Sequence, residues 1–291
     1  MKPPPFTLYR PTTLEEAVAI LSSVEDAGGL ILAGGQSLVP MMALRAANPG
    51  ALVDINRVAG LDVCEIRNGS LVVGATVRHA RFHKTVIRGC LGSLLAVMSR
   101  NIAHLPIRIR GTMCGSLAHA DPSSEWCLAA VTLDAQVHLT SVRGTRVVSA
   151  QEFFEGVMTT AKAPDEIISE VRFPLPSEDS RFGFYEFNRR AGDFALGMAL
   201  VVFGLADGRM TNVRVGVGGI EDAPRRIEAA ESRLEGQPPD VAVIAAAAEA
   251  AAGSVDAMED PITSAAYRRN LTAVAVRRAV ETALADNAGH A

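Results

Sequence analysis

Ala33-Gly34-Gly35-Gln36-Ser37-Leu38-Val39-Pro40 follows directly on the apolar run Leu30-Ile31-Leu32, and this junction decides how the chain is read. A short buried strand that breaks at Gly-Gly and re-enters a helical turn leaves several backbone N–H groups unpaired and converging. Such a nest binds an anion, aided by the positive end of the helix dipole. Glycine lets the backbone approach a phosphate, and Ser37 offers a hydroxyl, although an ordinary strand-to-helix turn uses the same residues. A second stretch, Arg110-Gly111-Thr112-Met113-Cys114-Gly115-Ser116-Leu117-Ala118-His119-Ala120-Asp121-Pro122, reads as a glycine-punctuated loop. There Thr112, Gly115 and Ser116 again present donors without bulk. Two such loops point to a diphosphate clasped from both sides, each hydrogen bond to a charged oxygen contributing roughly 1.5–3 kcal/mol. Neither matches G-x-x-x-x-G-K-S/T, which argues against a P-loop ATPase.

Outward from the first loop, Thr13-Leu14-Glu15-Glu16 reads as a capping box, and Ala17, Val18 and Leu21 continue at helical spacing. Leu38–Ala47 is expected to turn helical past Pro40, and Ala51–Ile55 suits another buried strand. Residues 1–60 thus predict a small parallel α/β unit. The pattern then changes. Asn68-Gly69 and Arg143-Gly144 mark hairpins, with helices predicted near Arg78–Ile87, at Leu91–Met98 and at Glu125–Leu133, the last capped by Ser123 or Ser124. Residues 61–176 therefore read as an antiparallel α+β unit, closed by the polar, proline-containing stretch 174–180. In 177–291, Asp207-Gly208 joins two apolar runs as a hairpin. Val241–Ala252, stopped by Gly253, and Ser264–Leu284 are helical by propensity, the alanine run serving tight helix packing.

The composition bounds function. Of 291 residues, 48% are hydrophobic and 21% charged, which suits a globular chain of about two or three domains. A net charge of −4 is the wrong sign for a nucleic-acid binder. The start Met1-Lys2-Pro3-Pro4-Pro5 lacks a signal peptide's apolar run, and no uncharged stretch reads as a spanning helix. Cys64, Cys90, Cys114 and Cys127 form no C-x-x-C pair, which argues against a metal site or iron–sulfur cluster on this chain and fits reduced thiols in the cytoplasm.

Some local signals are set aside. Gly216-Val217-Gly218-Gly219 starts like a Rossmann fingerprint, but Glu221 takes the third glycine position and a hairpin strand precedes it. His79 and His83 are spaced as in some zinc sites, without a third ligand, and read as a solvated helix face. His119 and Asp121 read as residues that shape a turn and a helix start. Arg108 and Arg110 suit either a phosphate or a partner surface.

Taken together, A-G-G-Q-S-L-V-P at 33–40, the stretch 110–122, Glu166–Pro174 and Arg189–Ala195 resemble the medium, FAD-binding subunit of the molybdenum hydroxylases. Carbon monoxide dehydrogenase and xanthine dehydrogenase flavoproteins belong to that family, and the resemblance spans nearly the whole chain. It implies an α+β fold: a two-part FAD-binding domain of the PCMH type, then a C-terminal α+β domain with a three-stranded antiparallel sheet and helices. It implies that Ala33, Gly34, Gly35, Gln36 and Ser37, with Thr112, Cys114, Gly115 and Ser116, wrap the FAD pyrophosphate. Ala103 would lie against the cofactor, Glu125 would bond the ribose hydroxyls, and Ile168 would lie beside the adenine or flavin end. Asp193 and Phe194 would approach the isoalloxazine.

The implied function is an oxidoreductase subunit without a catalytic acid or base of its own. It would pass electrons through FAD from the iron–sulfur clusters of a small subunit to an external acceptor. The molybdenum cofactor would sit on a large subunit and the 2Fe–2S clusters on the small one, in a dimer of heterotrimers. Three positions depart from the family pattern. Cys114 replaces the first glycine of T-x-G-G, Glu186 stands where relatives often carry lysine, and Phe194 stands where some carry tyrosine. Cys114 and Glu186 keep open a second reading, a redox-inactive scaffold subunit that retains the fold.

Overall fold

β-Branched and aliphatic runs cut by turn residues set the strands. In the computed structural model, which describes residues 2–285, Thr7–Tyr9, Ala51–Asp54 and Leu30–Leu32 form a parallel sheet with Ala51–Asp54 in the middle. Met1 and residues 286–291, part of the first and last units read from the sequence, lie outside the described residues. Parallel strands need a crossover, and the helix Leu14–Ser23 supplies one, burying Ala17, Val18 and Leu21. Thr13 Oγ1 accepts from the Glu16 N–H at 3.1 Å, and the Glu16 carboxylate reaches back to the N–H of Thr12 at 2.8 Å. The capping box thus forms with its return bond one residue early. Leu30–Leu32 is only partly buried, because one flank faces a cleft.

The second sheet has five antiparallel strands in the order Cys64–Arg67, Ser70–Gly74, Ile167–Pro174, Gln136–Ser141, Gly144–Ser149. Asn68 and Gly69 both have positive φ, 49° and 74°, as the twist of a two-residue hairpin requires. Ile167–Pro174 runs between the two hairpins, with Val171 opposite Val73 on one side and Val137 on the other. The helix Glu125–Thr132 is buried along its whole length, with Trp126, Cys127 and Leu128 fully enclosed.

Arg181–Phe187, Gly197–Ala206 and Arg209–Gly218 form an antiparallel meander, extended at its edge by the two-residue strand Arg225–Arg226. Glu228–Leu234, Val241–Ser254 and Ala265–Ala285 supply its helices. Ala247, Ala275 and Ala279 pack with Val201, Phe203 and Val215 in one core. Small side chains there let helices lie close. The Glu125–Thr132 helix joins this sheet to the middle unit, and ion pairs run across the junction from Asp134 to Arg226 at 2.9 Å and to Arg214 at 3.1 Å. Among the described residues no helix is long and apolar enough to cross a membrane.

Several local expectations are corrected. The stretch 110–121 is not wholly loop, since Met113–His119 is helical and capped by Thr112. Arg78–Ile87 yields only the five-residue 3-10 turn His79–His83. Gly253 does not stop its helix, which runs on to Ser254. Neither candidate serine caps Glu125–Thr132 through its hydroxyl: Ser124 occupies the cap position without a side-chain bond, and Ser123 Oγ donates to the carbonyl of Ala195 at 2.9 Å.

Candidate functional site

The two glycine loops meet. A Cβ built on Gly34 would fall 2.5 Å from the Arg110 carbonyl oxygen and 2.6 Å from Gly111 Cα, so only glycine allows this approach. The contact is held from behind. Gly111 N–H donates to the Ile107 carbonyl at 2.7 Å, the His79 N–H donates to the Gly111 carbonyl at 3.0 Å, and the Arg78 guanidinium donates to the Arg110 carbonyl.

Over the junction opens a cleft of about 310 Å³. Ala33, Gly34, Gly35, Gln36 and Ser37 line one wall, and Thr112, Cys114, Gly115 and Ser116 line the other. Ile31, Met41, Pro164, Ile167 and Ile168 add apolar lining. Among the described residues, the N–H groups of Gly35, Gln36, Ser37 and Leu38 donate to no protein acceptor, and neither does that of Cys114. Gly115 N–H is taken by Thr112 Oγ1 at 3.0 Å, which orders the start of the second helix. Converging free N–H groups on two glycine-tight turns suit an anionic group, and the apolar lining suits a flat ring. A dinucleotide has both parts, so the residues present fit FAD.

Comparison with known proteins agrees with this chemistry. A family model described as the FAD binding domain in molybdopterin dehydrogenase matches residues 4–176, and one described as the CO dehydrogenase flavoprotein C-terminal domain matches 182–283. The chain belongs to the FAD-binding medium subunits of the molybdenum hydroxylases. It is 38% identical to the nicotine 6-hydroxylase medium subunit of Paenarthrobacter nicotinovorans over 96% of this chain and 98% of that one. It is 36% identical to caffeine dehydrogenase subunit beta of a Pseudomonas species, over 97% and 96% of the two chains. The carbon monoxide dehydrogenase structure from Hydrogenophaga pseudoflava that lacks the Mo-pyranopterin moiety superposes with a TM-score of 0.93. That match has 31% identity and covers 98% of this chain and 99% of that one.

Four residues that the family resemblance assigns to the cofactor do not line this cleft: Ala103, Glu125, Asp193 and Phe194. They gather in a second neighbourhood, where the C-terminal unit meets the middle one. Ala103 has φ +40°, and its carbonyl accepts from Arg108 Nη1 at 2.8 Å. The neighbouring His104 ring occupies the space that a side chain on Gly192 would need, which brings the Asp193 segment alongside Ala103. Phe194 is 74% exposed. Glu125 is buried at the start of its helix, where burial and then the nearby Glu186 carboxylate push its pKa up. Glu186 is raised by burial too, and its Oε2 is enclosed without a hydrogen-bond partner while Oε1 accepts from Asn188 at 2.9 Å. Position 186 therefore holds a carboxyl biased toward its neutral form.

Cys114 lies within the helix and not at a positive φ, so its β-carbon is accommodated in the place of a glycine. It is 3% exposed, burial pushes its pKa up to about 12, and its Sγ faces the Val73 carbonyl at 3.6 Å. This environment suits a packing residue. Arg110 flanks the outer side of the first loop with Asp54 and Asn56, whereas Arg108 ties down the carbonyls of Ile102 and Ala103.

Sequence reasoning missed four polar residues of the cleft wall, one of which, His119, was read as shaping a turn and stands at the end of the helix Met113–His119. Lys162 lines it with its pKa lowered by burial, and Glu166 lines it while paired with Arg146 at 2.6 Å. His79, read as part of a solvated face, is 4% exposed and lines the cleft as well. No local pattern announces these positions, because tertiary packing brings them together from a 3-10 turn, from the end of a helix and from the loop before Ile167–Pro174.

Proposed function

We propose that this chain is the FAD-carrying, electron-transferring subunit of a heterotrimeric molybdenum-dependent dehydrogenase or hydroxylase. The observation that carries the reading is the Gly34–Gly111 contact beneath a cleft walled by unpaired backbone donors. FAD held here would supply the electron-carrier chemistry that links the iron–sulfur clusters of a small subunit to an external acceptor. The chain's own residues bind and orient. The N–H groups of 35–38 and of Cys114 hold the diphosphate, Thr112 keeps the second turn in shape, and Ile168 adds apolar lining. Ala103 would lie against the same cofactor, Glu125 would bond its ribose hydroxyls, and Asp193 and Phe194 would approach the isoalloxazine, with burial biasing the Glu125 and Glu186 carboxyls toward their neutral forms.

The complex would be a dimer of heterotrimers in the cytoplasm, the molybdenum cofactor residing on the large subunit. Within this chain, residues 1–60 and 61–176 would form the two halves of the cofactor domain and 177–291 the C-terminal domain. Four cysteines without a disulfide support a reducing compartment. The test is to purify the chain with its neighbouring subunits and measure flavin content and reduction by substrate. A yellow complex that releases FAD on denaturation and bleaches with substrate is expected. Protein that neither carries nor takes up FAD refutes the reading, and bound flavin that no donor reduces establishes the scaffold alternative.

A further inference from the structure

One buried polar side chain on the cleft wall has a donor with no protein acceptor. His79 stands on the 3-10 turn beneath the meeting point of the loops. A Cβ on Gly111 would come within 2.5 Å of His79 Nε2, and Gly111 is the residue that Gly34 abuts. The ring thus lies directly under the junction and lines the cleft with both loops. Its other nitrogen is committed. The indole N–H of Trp126 donates to His79 Nδ1 at 2.9 Å, and an indole can only donate. Nδ1 must therefore offer a lone pair, which leaves the proton of the neutral ring on Nε2. Trp126 is fully buried and packed against Phe82 with ring centroids 5.1 Å apart, so the tautomer is imposed by a rigid neighbour. Among the described residues Nε2 donates to no protein group, and it is not one of the fully enclosed unpartnered atoms, so it keeps contact with open space on the side of the cleft that His79 lines.

We propose that His79 is a cofactor-binding residue whose Nε2–H donates to a diphosphate oxygen of the FAD held between the loops, with Trp126 as the positioning residue that fixes this donor. The proposal rests on the FAD reading above. Burial pushes the His79 pKa down to about 3, reinforced by Arg78 and His83 from its own segment and by Arg108 from the helix Leu105–Arg108. The donor is accordingly a neutral one throughout the physiological range, and its contribution does not vary there with pH.

The test uses the full-length chain, freed of flavin and titrated with FAD by fluorescence quenching. His79→Leu is expected to weaken binding at least tenfold, and His79→Gln, whose amide restores a donor near the Nε2 position, to recover most of it. Trp126→Phe removes the donor that fixes the tautomer while burial and the arginines keep the ring neutral, so FAD affinity should fall severalfold and stay flat between about pH 5 and 8, as in the wild type. Riboflavin, which lacks the diphosphate, should bind His79→Leu and wild type alike.

Because His79→Leu can fail to fold, 15N-labelled wild-type protein gives an independent reading. The His79 Nδ1 resonance should report a lone pair with and without FAD, and the Nε2–H resonance should shift on adding FAD. Wild type that binds FAD with an unmoved Nε2–H signal, or with His79→Leu within twofold of its affinity, overturns the assignment of His79 alone. Wild type that binds no FAD overturns the reading on which it rests.

Discussion

Replacing Gly34 by alanine places one methyl group where the two loops touch, and its consequence can be worked from the structure. The new Cβ would meet Gly111 Cα at 2.6 Å and the Arg110 carbonyl at 2.5 Å, against an ordinary contact of 3.4 Å or more. Both obstacles are backbone, so no side chain can swing aside. Relief requires Arg110–Thr112 to retreat from the first loop, against the bonds to Ile107 and His79 that hold Gly111 in place. The retreat widens the gap between the two sets of N–H groups, and one ligand can no longer engage both.

Losing two hydrogen bonds to charged oxygen, at roughly 1.5–3 kcal/mol each, predicts a loss of about 3–6 kcal/mol in FAD binding. At about 1.4 kcal/mol per decade, that is two to four orders of magnitude in Kd. Titration of apoprotein with FAD measures it, with calorimetric melting of the apoprotein as the check on folding. Gly253→Ala, inside a helix with open space around it, is the control, expected to leave FAD affinity alone and to stabilise by roughly 0.5–1 kcal/mol. A folded Gly34→Ala variant that binds FAD within threefold of wild type would refute the two-walled cradle.

Three further outcomes follow from other parts of the molecule. Glu186 and Glu125 hold their protons above the ordinary carboxyl value of 4.5, so the folded chain retains protons that the unfolded chain has lost. Their contribution to stability is full below that value and declines as pH rises toward and past neutrality. Glu186→Gln should flatten the decline in urea-unfolding stability between about pH 5 and pH 8, and an unchanged slope would exclude the effect. Arg226→Met removes a bidentate pair with Glu231 and the 2.9 Å bond to Asp134 across the junction, and should lower stability by roughly 1–3 kcal/mol. Equal melting temperatures would count against that junction. The buried Cys114, its pKa at about 12, should resist thiol reagents at pH 8 until the chain unfolds, so rapid native labelling followed by mass spectrometry would contradict its enclosure.

Local chemistry made much of this legible beforehand. The hairpins at Asn68-Gly69 and Asp207-Gly208, the capped helix after Thr13 and the alanine-rich helices depend on neighbours a few residues apart, and each formed, the helix from Val241 running two residues past its expected end. The misreadings had local causes. Gly111 and Gly115 bracket a helix that Thr112 caps, so punctuation looked like loop. Gly253 sits in a helix whose packing outweighs its modest penalty.

The residues themselves determined that two glycine-tight turns would exist and that each would leave backbone donors unpaired, because small side chains and broken periodicity are properties of adjacent positions. Only the tertiary structure decided that the turns face one another, since Gly34 and Gly111 meet across 76 intervening positions through packing that no short window encodes. It alone decided, too, that Ala103 would join the Asp193 segment and not the main cleft. The same holds for His79, whose ring is turned from a solvated face into a fixed donor by an indole 47 residues away. Contacts at such separations arise when a core closes around them, so their chemistry is a property of the packed molecule.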